Sequence, residues 1–543
     1  MATLDDVLQQ VGVWGPFQIL LVLVIAPTSI VSVWGMMFMA FGSYDPGWIC
    51  LDEAMSSNNN SSSGNVSASG STRDHCSIYS TCNNVSFLPG TSTVVTEWSL
   101  VCDQGWALNV IFTVQMVGVV LGAYLIGHLG DSVGQRASLY GMVKFYACVN
   151  VLAAACTSWE MFAFVRFFIG IAVGGILATG YAIPLEFTSE FWRGILGTLP
   201  IWSIGSASFA VAVTLLKDWR HIHILSAVVS CTTILPEFWV PEGFRWLAVN
   251  GRDVQVGAVA TKMAKMNKRP LPSLELVASM AESERRRVEV ESSTRYSYLY
   301  LFRDTLVREL TTFMALVLFF MSIIYFGISF NVTALSGDFY INFLILSVME
   351  LPTILFSLPT MSFLTRRWGS VLHLFVVSIA CFGVTIATLT LGGDPNNQDT
   401  ETENGMKEKI ILGLMVIAKI GILCAWNFVS IFCVELFPTA VRNLAFRYCN
   451  TLTRIGGLIG PVLFPKNPAL LYVAMLCLGV ITILCVILVL LLPETKGAPL
   501  EDMLRSKNFL DKNHDKPSLE DVGTERHDSL GLLEVGERER VVA

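Results

Sequence analysis

Gly127-His-Leu-Gly130-Asp131-Ser-Val-Gly134-Gln-Arg136 is a short polar turn between two apolar runs, 106 to 126 and 137 to 157. A helix of about 20 residues rises about 30 Å, the thickness of a bilayer's hydrocarbon core. Two such runs joined by so short a turn read as a helical hairpin in lipid. The glycines permit the turn and a close approach of the helices, and one acid and one base stand at its rim.

The pattern continues outward in both directions, with apolar runs at 17 to 41, 160 to 182, 197 to 216, 222 to 240, 310 to 330, 338 to 364, 370 to 391, 410 to 433, 447 to 464 and 470 to 492. With the first two, this predicts about twelve transmembrane helices. Composition agrees: 53% of the 543 residues are hydrophobic and 15% are charged, against about 25% charged in soluble proteins. The first run follows Asp5 and Asp6 instead of a basic segment and exceeds a signal-peptide core, so it is expected to be kept as helix 1. The net charge of -7 carries no nucleic-acid inference.

Alternate loops hold Arg136, Arg193, Arg366, Arg367 and Arg442, and the positive-inside rule then puts both termini in the cytosol. On the other side, a polar loop from 43 to 105 carries Cys50, Cys76, Cys82 and Cys102 with glycosylation sequons at Asn59, Asn60, Asn65 and Asn84. Clustered Cys beside sequons fit an oxidising exterior. Four Cys allow three pairings, all open from sequence.

The two ends of the chain repeat each other. Glu186 and Arg193 follow the fourth span at the spacing at which Glu435 and Arg442 follow the tenth, while Pro241-Glu242 ends the sixth span and Pro493-Glu494 the twelfth. Such a repeat predicts two pseudo-symmetric six-helix halves, 1–240 and 310–492, joined by a solvated helical linker at 241–309 and followed by a polar tail at 493–543. The tail's Asp528 to Leu533 has the form of an acidic dileucine signal that a sorting adaptor reads.

The turn that opens this section resembles the helix 2 to 3 motif of the major facilitator superfamily. Glu97-Trp98 with Cys102-Asp103, Pro241-Glu242-Gly-Phe-Arg245-Trp246, Glu435-Leu-Phe-Pro-Thr-Ala-Val-Arg442 and Pro493-Glu-Thr-Lys-Gly497 narrow the resemblance to the organic cation, organic anion and carnitine transporters, solute carrier family 22. The likeness runs to about residue 505. It implies an all-α membrane protein of the facilitator fold, in the plasma membrane, with a glycosylated, disulfide-bonded outer loop and a central cavity for organic ions. It also implies a latch that breaks as the halves rock: Arg136 pairs with Glu186, Asp131 sits on a neighbouring helix N-terminus, and Arg193, Glu435 and Arg442 act around them. The plain alternative is a turn with solvated charges. Thr365-Arg366-Arg367-Trp368-Gly369-Ser370 lacks the Asp and final Arg that the family often has between helices 8 and 9. Gly174 and Leu177 stand where cation-selective members tend to carry Lys and Trp.

Four charges fall deep in spans, Arg166, Glu350, Lys419 and Arg454, at an insertion cost of about 2.5–3.5 kcal/mol each. Arg166 and Lys419 occupy matching places in the two halves and read as scaffold or gating residues. Arg447, Asn450 or Thr451, and Arg454 share one helical face, which must line water or protein. Through the resemblance, Arg454 falls where anion and carnitine members carry Arg and cation members Asp, and Glu350 matches an acidic position near the cavity. Guanidinium pairs bidentately with carboxylate, so Arg454 is a candidate substrate ligand; the competing reading is a salt bridge to Glu350. Tyr181, Tyr325 and Trp426, with Asn427 nearby, complete the candidate cavity, although such aromatics also serve as packing.

These groups suit a small organic zwitterion such as a carnitine-like betaine, or an organic anion, moved by alternating access. An organic cation uniporter and a non-transporting receptor on the same fold are the alternatives. No nucleophile, metal cluster or phosphate-binding loop stands out, so neither an enzyme nor a cofactor is expected. Whether sodium or proton is coupled is open.

Overall fold

The computed structural model describes residues 4–50, 76, 79–80, 82, 84–197, 199–293, 300–303, 305–335, 337–390, 400–437, 439–463 and 470–496. The long helices are α1 (Pro16–Gly42), α2 (Trp106–Val133), α3 (Gln135–Ala154), α4 (Trp159–Thr179), α5 (Ile201–Leu216) and α6 (Trp219–Ile234). After the linker come α7 (Thr305–Phe330), α8 (Phe339–Val348 and Thr353–Phe363), α9 (Arg366–Thr390), α10 (Thr400–Leu436), α11 (Thr439–Leu463) and α12 (Leu471–Leu491). Among the described residues eleven helical spans are long and apolar enough to cross a membrane. The twelfth, α11, carries Arg442, Arg447 and Arg454 and falls short for that reason.

The run 338 to 364 does not form the single helix its hydropathy predicts. Helix α8 is interrupted at Met349–Pro352. Pro352 has no N–H, and its ring would collide with the carbonyl of Val348 in a continuing helix. Tight turns bridge the gap, Glu350 N–H donating to Ser347 O at 3.3 Å and Thr353 Oγ1 to Glu350 O at 2.7 Å. The break lies midway along the span, and it presents Glu350.

Helices α2 and α4 cross at glycines. An added Cβ at Gly118, Gly122, Gly170 or Gly174 would lie 2.1–2.2 Å from a carbonyl oxygen of the facing helix. Gly174 is thus a seam residue, its Cβ position 2.1 Å from Val119 O. In the second half α11 approaches α7 through Gly456 and Gly460. The halves meet along α2 against α11 and α5 against α8.

At one end of the bundle, strands β1 (Trp48–Cys50) and β2 (Val85–Phe87) pair antiparallel. Of the three pairings left open, the structure has Cys50–Cys82 and Cys76–Cys102. Asn84 is exposed beside β2; Asn59, Asn60 and Asn65 lie outside the described residues. At this end the halves are zipped together: Tyr44 stacks on Phe339 at 4.1 Å, and Thr91 Oγ1 lies 2.7 Å from the Tyr340 hydroxyl.

At the opposite end the linker is more than a solvated connector. Its helices Asp253–Met266 and Leu274–Ser293 bury Val256, Ala260, Met263, Val277 and Met280 against Leu4, Val7, Leu8 and Val11 of an N-terminal helix, Leu4–Val11. Asn267 clasps the two together. Its Oδ1 accepts from Phe17 N–H at 3.1 Å, and its Nδ2 donates to Val11 O at 3.2 Å and Gln18 Oε1 at 3.1 Å. The tail beyond Lys496, with Asp528 to Leu533, lies outside the described residues.

Candidate functional site

The broken helix puts Glu350 at the centre of a buried polar cluster. Its Oε1 lies 3.1 Å from Lys419 Nζ of α10 and accepts from the Tyr325 hydroxyl of α7 and Ser206 Oγ of α5, each at 3.3 Å. The Tyr325 oxygen in turn accepts from Trp202 Nε1 at 2.5 Å. Lys419 Nζ also bonds Ser329 Oγ and stands 4.1 Å over the Tyr325 ring. Glu350 has no exposed surface and Lys419 is 3% exposed. Trp202 and Ser206 belong to the first half and the rest to the second, so the cluster straddles the seam on which the halves would rock.

The competing reading, a salt bridge from Arg454 to Glu350, is not what the structure holds. The partner of Glu350 is Lys419, not Arg454. Lys419 is also no counterpart of Arg166 in environment. The Arg166 guanidinium donates to Gly35 O at 3.1 Å and to Gln115 Oε1, and it lies 4.7 Å from the Phe38 ring, fully buried inside the first half.

Among the other candidates, Trp426 joins the cluster at its edge, its ring 6.4 Å from that of Tyr325, and Asn427 Nδ2 donates to Ser357 Oγ at 3.2 Å. Tyr181 stands apart and lines an apolar recess with Ile25, Ser29, Pro184, Leu199 and Ile201. Arg454 is half-buried and has no hydrogen-bond or ion-pair partner among the described residues. One and two turns before it, Thr451 and Arg447 are exposed, while the opposite face of α11 packs on α7 through Gly456. The polar face of α11 therefore borders open space.

The end opposite the disulfides carries two related charge layers. In the first half, Glu242 Oε1 accepts from Arg136 N–H at 2.9 Å at the start of α3. Gly134 is required there on two counts, a φ of +116° and a Cβ position 2.7 Å from Glu242 Oε2. Glu186 receives Gln135 Nε2 at 3.0 Å and Arg245 N–H at 3.3 Å. In the second half, Glu494 accepts from Arg366 and Arg367 N–H at 2.9 and 3.1 Å and so caps α9. Glu435 pairs with the Arg366 guanidinium at 3.1 Å and accepts from Thr495 Oγ1 at 2.8 Å. Arg193 Nε and Arg442 Nε each tie to a carbonyl of the preceding turn, Leu185 at 3.0 Å and Phe437 at 3.2 Å.

Arg136 thus meets Glu242 through its backbone, and it is Gln135 that reaches Glu186, contrary to the expected Arg136–Glu186 pair. Asp131 is not on a helix N-terminus either. Its carboxylate lies 3.7 Å from Arg447 of α11, across the line between the halves, and Trp246 Nε1 donates to its carbonyl at 3.1 Å. Thr365-Arg366-Arg367, which departs from the family pattern, nevertheless supplies the second half's ion pair through Arg366.

Sequence reasoning missed Trp202, Ser206 and Gln115. Nothing local marks the first two. Gln115 had a signal: it sits on the second helix of its half opposite Arg166, as Glu350 sits on the second helix of its own half opposite Lys419.

Twelve helices in two halves, a broken α8 and a buried charged cluster at the seam define a solute transporter of the major facilitator type. The chain matches the model of the Sugar (and other) transporter family over residues 26–506, and it belongs to that family. It is 28% identical to a beta-alanine transporter of Drosophila melanogaster over 427 residues, 76% of this chain and 66% of that protein. It is 25% identical to the human organic cation/carnitine transporter 2 over 434 residues, 79% of this chain and 74% of that one. These matches bear out the likeness to solute carrier family 22, whose members are transporters and not enzymes. An inward open structure of the xylose transporter XylE from E. coli superposes with a TM-score of 0.61 at 13% identity, covering 90% of this chain and 99% of that one. That likeness shows the shared fold.

Proposed function

We propose that the protein carries small organic ions bearing a carboxylate, zwitterions or anions, across the plasma membrane by alternating access, with both termini in the cytosol. One observation carries this reading: the buried acid of the site is already answered by Lys419 at 3.1 Å, whereas the Arg454 guanidinium has no partner among the described residues. An unpaired guanidinium on a face that borders open space selects carboxylate, which it binds bidentately. The same asymmetry disfavours an organic cation uniporter, because the buried acid of the site is already neutralised by Lys419. The Drosophila relative named for beta-alanine, a zwitterion, supports the same class of substrate.

The test is Arg454→Gln in cells, with labelled L-carnitine, β-alanine and tetramethylammonium as probes at matched surface expression. Since the Glu350–Lys419 pair is untouched, folding should survive. Carboxylate uptake should fall about tenfold or more, as expected for losing an interaction worth roughly 1.5–3 kcal/mol, and tetramethylammonium uptake should not fall. Wild-type uptake of tetramethylammonium but of neither carboxylate probe would overturn the reading. Orientation is checked separately: N-glycosidase should shift the gel mobility of protein made in animal cells, and no shift would contradict an outside location for Asn84 and its neighbouring sequons.

A further inference from the structure

The Lys419 ammonium is enclosed by an acid, an aromatic face and a hydroxyl. A carboxylate lies 3.1 Å away, an aromatic face 4.1 Å away, and the Ser329 hydroxyl within hydrogen-bond reach, all removed from water. Carboxylate plus aromatic face is the chemistry that recognises protonated and quaternary amines. The Tyr325 ring is held by its own bonds to Trp202 and Glu350, so the aromatic wall is fixed independently of Lys419. The second oxygen of Glu350 is buried without a hydrogen-bond partner among the described residues. The acid therefore retains acceptor capacity that Lys419 does not use.

From this we infer that Lys419 is a tethered occupant of a cation subsite formed by Glu350, Tyr325 and Ser329, and that it determines specificity by keeping free organic cations out. The inference rests on the carboxylate selectivity proposed above and supplies its other half. Arg454 admits the carboxylate, while Lys419 fills the place that a lone ammonium would take. A zwitterion gains entry through its carboxylate, which Arg454 holds. A simple monocation has no such first hold and meets a subsite already neutralised. In the first half, by contrast, Arg166 is surrounded by neutral Gln115, a carbonyl and the Phe38 ring, so removing it would leave no acid to attract an amine.

Removing the tether should open the subsite. At matched surface expression, Lys419→Gln should take up tetramethylammonium at least about fivefold faster than wild type. Lys419→Arg, which keeps a tethered cation, should not. Adding Glu350→Gln to Lys419→Gln should cancel the gain. A second measurement needs no transport. Purified Lys419→Ala should melt at a higher temperature in n-propylammonium chloride than in sodium chloride of equal ionic strength, and wild type should not. If the variant can be recovered only when expressed and purified with n-propylammonium, that rescue is the same result. Overturning outcomes are a Lys419→Gln protein at the surface with no gain in cation uptake, an amine effect equal in variant and wild type, or no rescue by the amine. Failure of wild type to carry L-carnitine or β-alanine would remove the proposed function instead, and the melting experiment would still decide whether the subsite binds amines.

Discussion

In the first half Gln115 of α2 faces Arg166 of α4; in the second, Glu350 of α8 faces Lys419 of α10. The places correspond, and the chemistry does not. Arg166 is held by neutral acceptors and capped by Phe38, inside its own half. Lys419 is held by an acid at a helix break, and that acid also touches α5 of the other half through Ser206. The end opposite the disulfides repeats the contrast, with neutral Gln135 on Glu186 in the first half and Arg366 on Glu435 in the second. At these matched places the first half uses neutral partners and the second uses ion pairs.

The largest expected effect belongs to the glycine seam between α2 and α4. Gly122→Leu would put a Cβ 2.1 Å from Ile171 O, a backbone atom that cannot yield without separating α2 from α4. Overpacking of this kind costs roughly 3 kcal/mol or more, and the variant should fail to give a monodisperse peak in detergent. Gly460→Ala in the second half, with Ile323 O at 3.0 Å, should be tolerated better. Equal damage from Gly122→Ala and Gly460→Ala would show that the distance to the facing carbonyl does not set the cost.

Next comes the buried pair. Glu350→Gln leaves Lys419 an uncompensated interior charge, a loss of roughly 3–5 kcal/mol. Gln115→Leu removes one neutral acceptor from Arg166 and should cost roughly 1–3 kcal/mol. Melting temperatures in detergent check the order. If Gln115→Leu is the more damaging, the contrast between the halves is wrong.

A smaller effect, about 1 kcal/mol, is expected for Arg366→Gln, which gives the second half the neutral donor of the first. Acid should sharpen this difference. Burial pushes the Glu494 carboxyl up, but donation from Thr365 and from the N–H groups of Lys496, Arg367 and Arg366 outweighs it and holds the group below its ordinary range. A depressed carboxylate stabilises the folded state above the unfolded pKa of about 4.3, and that stability is lost as pH falls through the folded value. Glu494→Gln should therefore flatten the loss of stability below about pH 4.5. An unchanged acid profile would mean that Glu494 does not cap α9 in solution.

The smallest stability change is expected at Asp131 and Arg447, both 58% exposed and 3.7 Å apart. Asp131→Asn should cost no more than about 0.5 kcal/mol. Because the pair crosses between the halves, it should lower maximal uptake rate while leaving half-saturation nearly unchanged, and Arg447→Gln should do the same. Unchanged maximal rate at equal surface expression would favour a solvated turn.

What could be read from residues alone was whatever is periodic or local. Runs of about 20 apolar residues located all twelve spans, including 447 to 464, whose polar face of Arg447 and Arg454 lowers its hydropathy. The Pro-Glu repeats at 241 and 493 marked matching ends, yet their capping of α3 and α9 was invisible, since the capped N–H groups lie over 100 residues away. The alternative that paired Glu350 with Arg454 failed for the same reason. Lys419 and Arg454 are both distant in sequence, and only the packing of α8 on α10 chooses between them. The break in α8 was legible in principle at Pro352, but the unbroken hydropathy around it hid it.

The clasp at Asn267 has a consequence for biosynthesis. Residues 11 to 18 are held by a side chain about 250 positions downstream, and at about 5–20 residues per second the ribosome needs on the order of 12–50 s to deliver it. Until then the helix Leu4–Val11 lacks the linker surface formed by Val256, Ala260, Met263, Val277 and Met280. The first half is thus finished as a folding unit only once the linker helices emerge, well after its sixth membrane span. A chain cut at residue 240 would lack the linker helices on which that helix packs, whereas one cut after Ser293 would carry both of them.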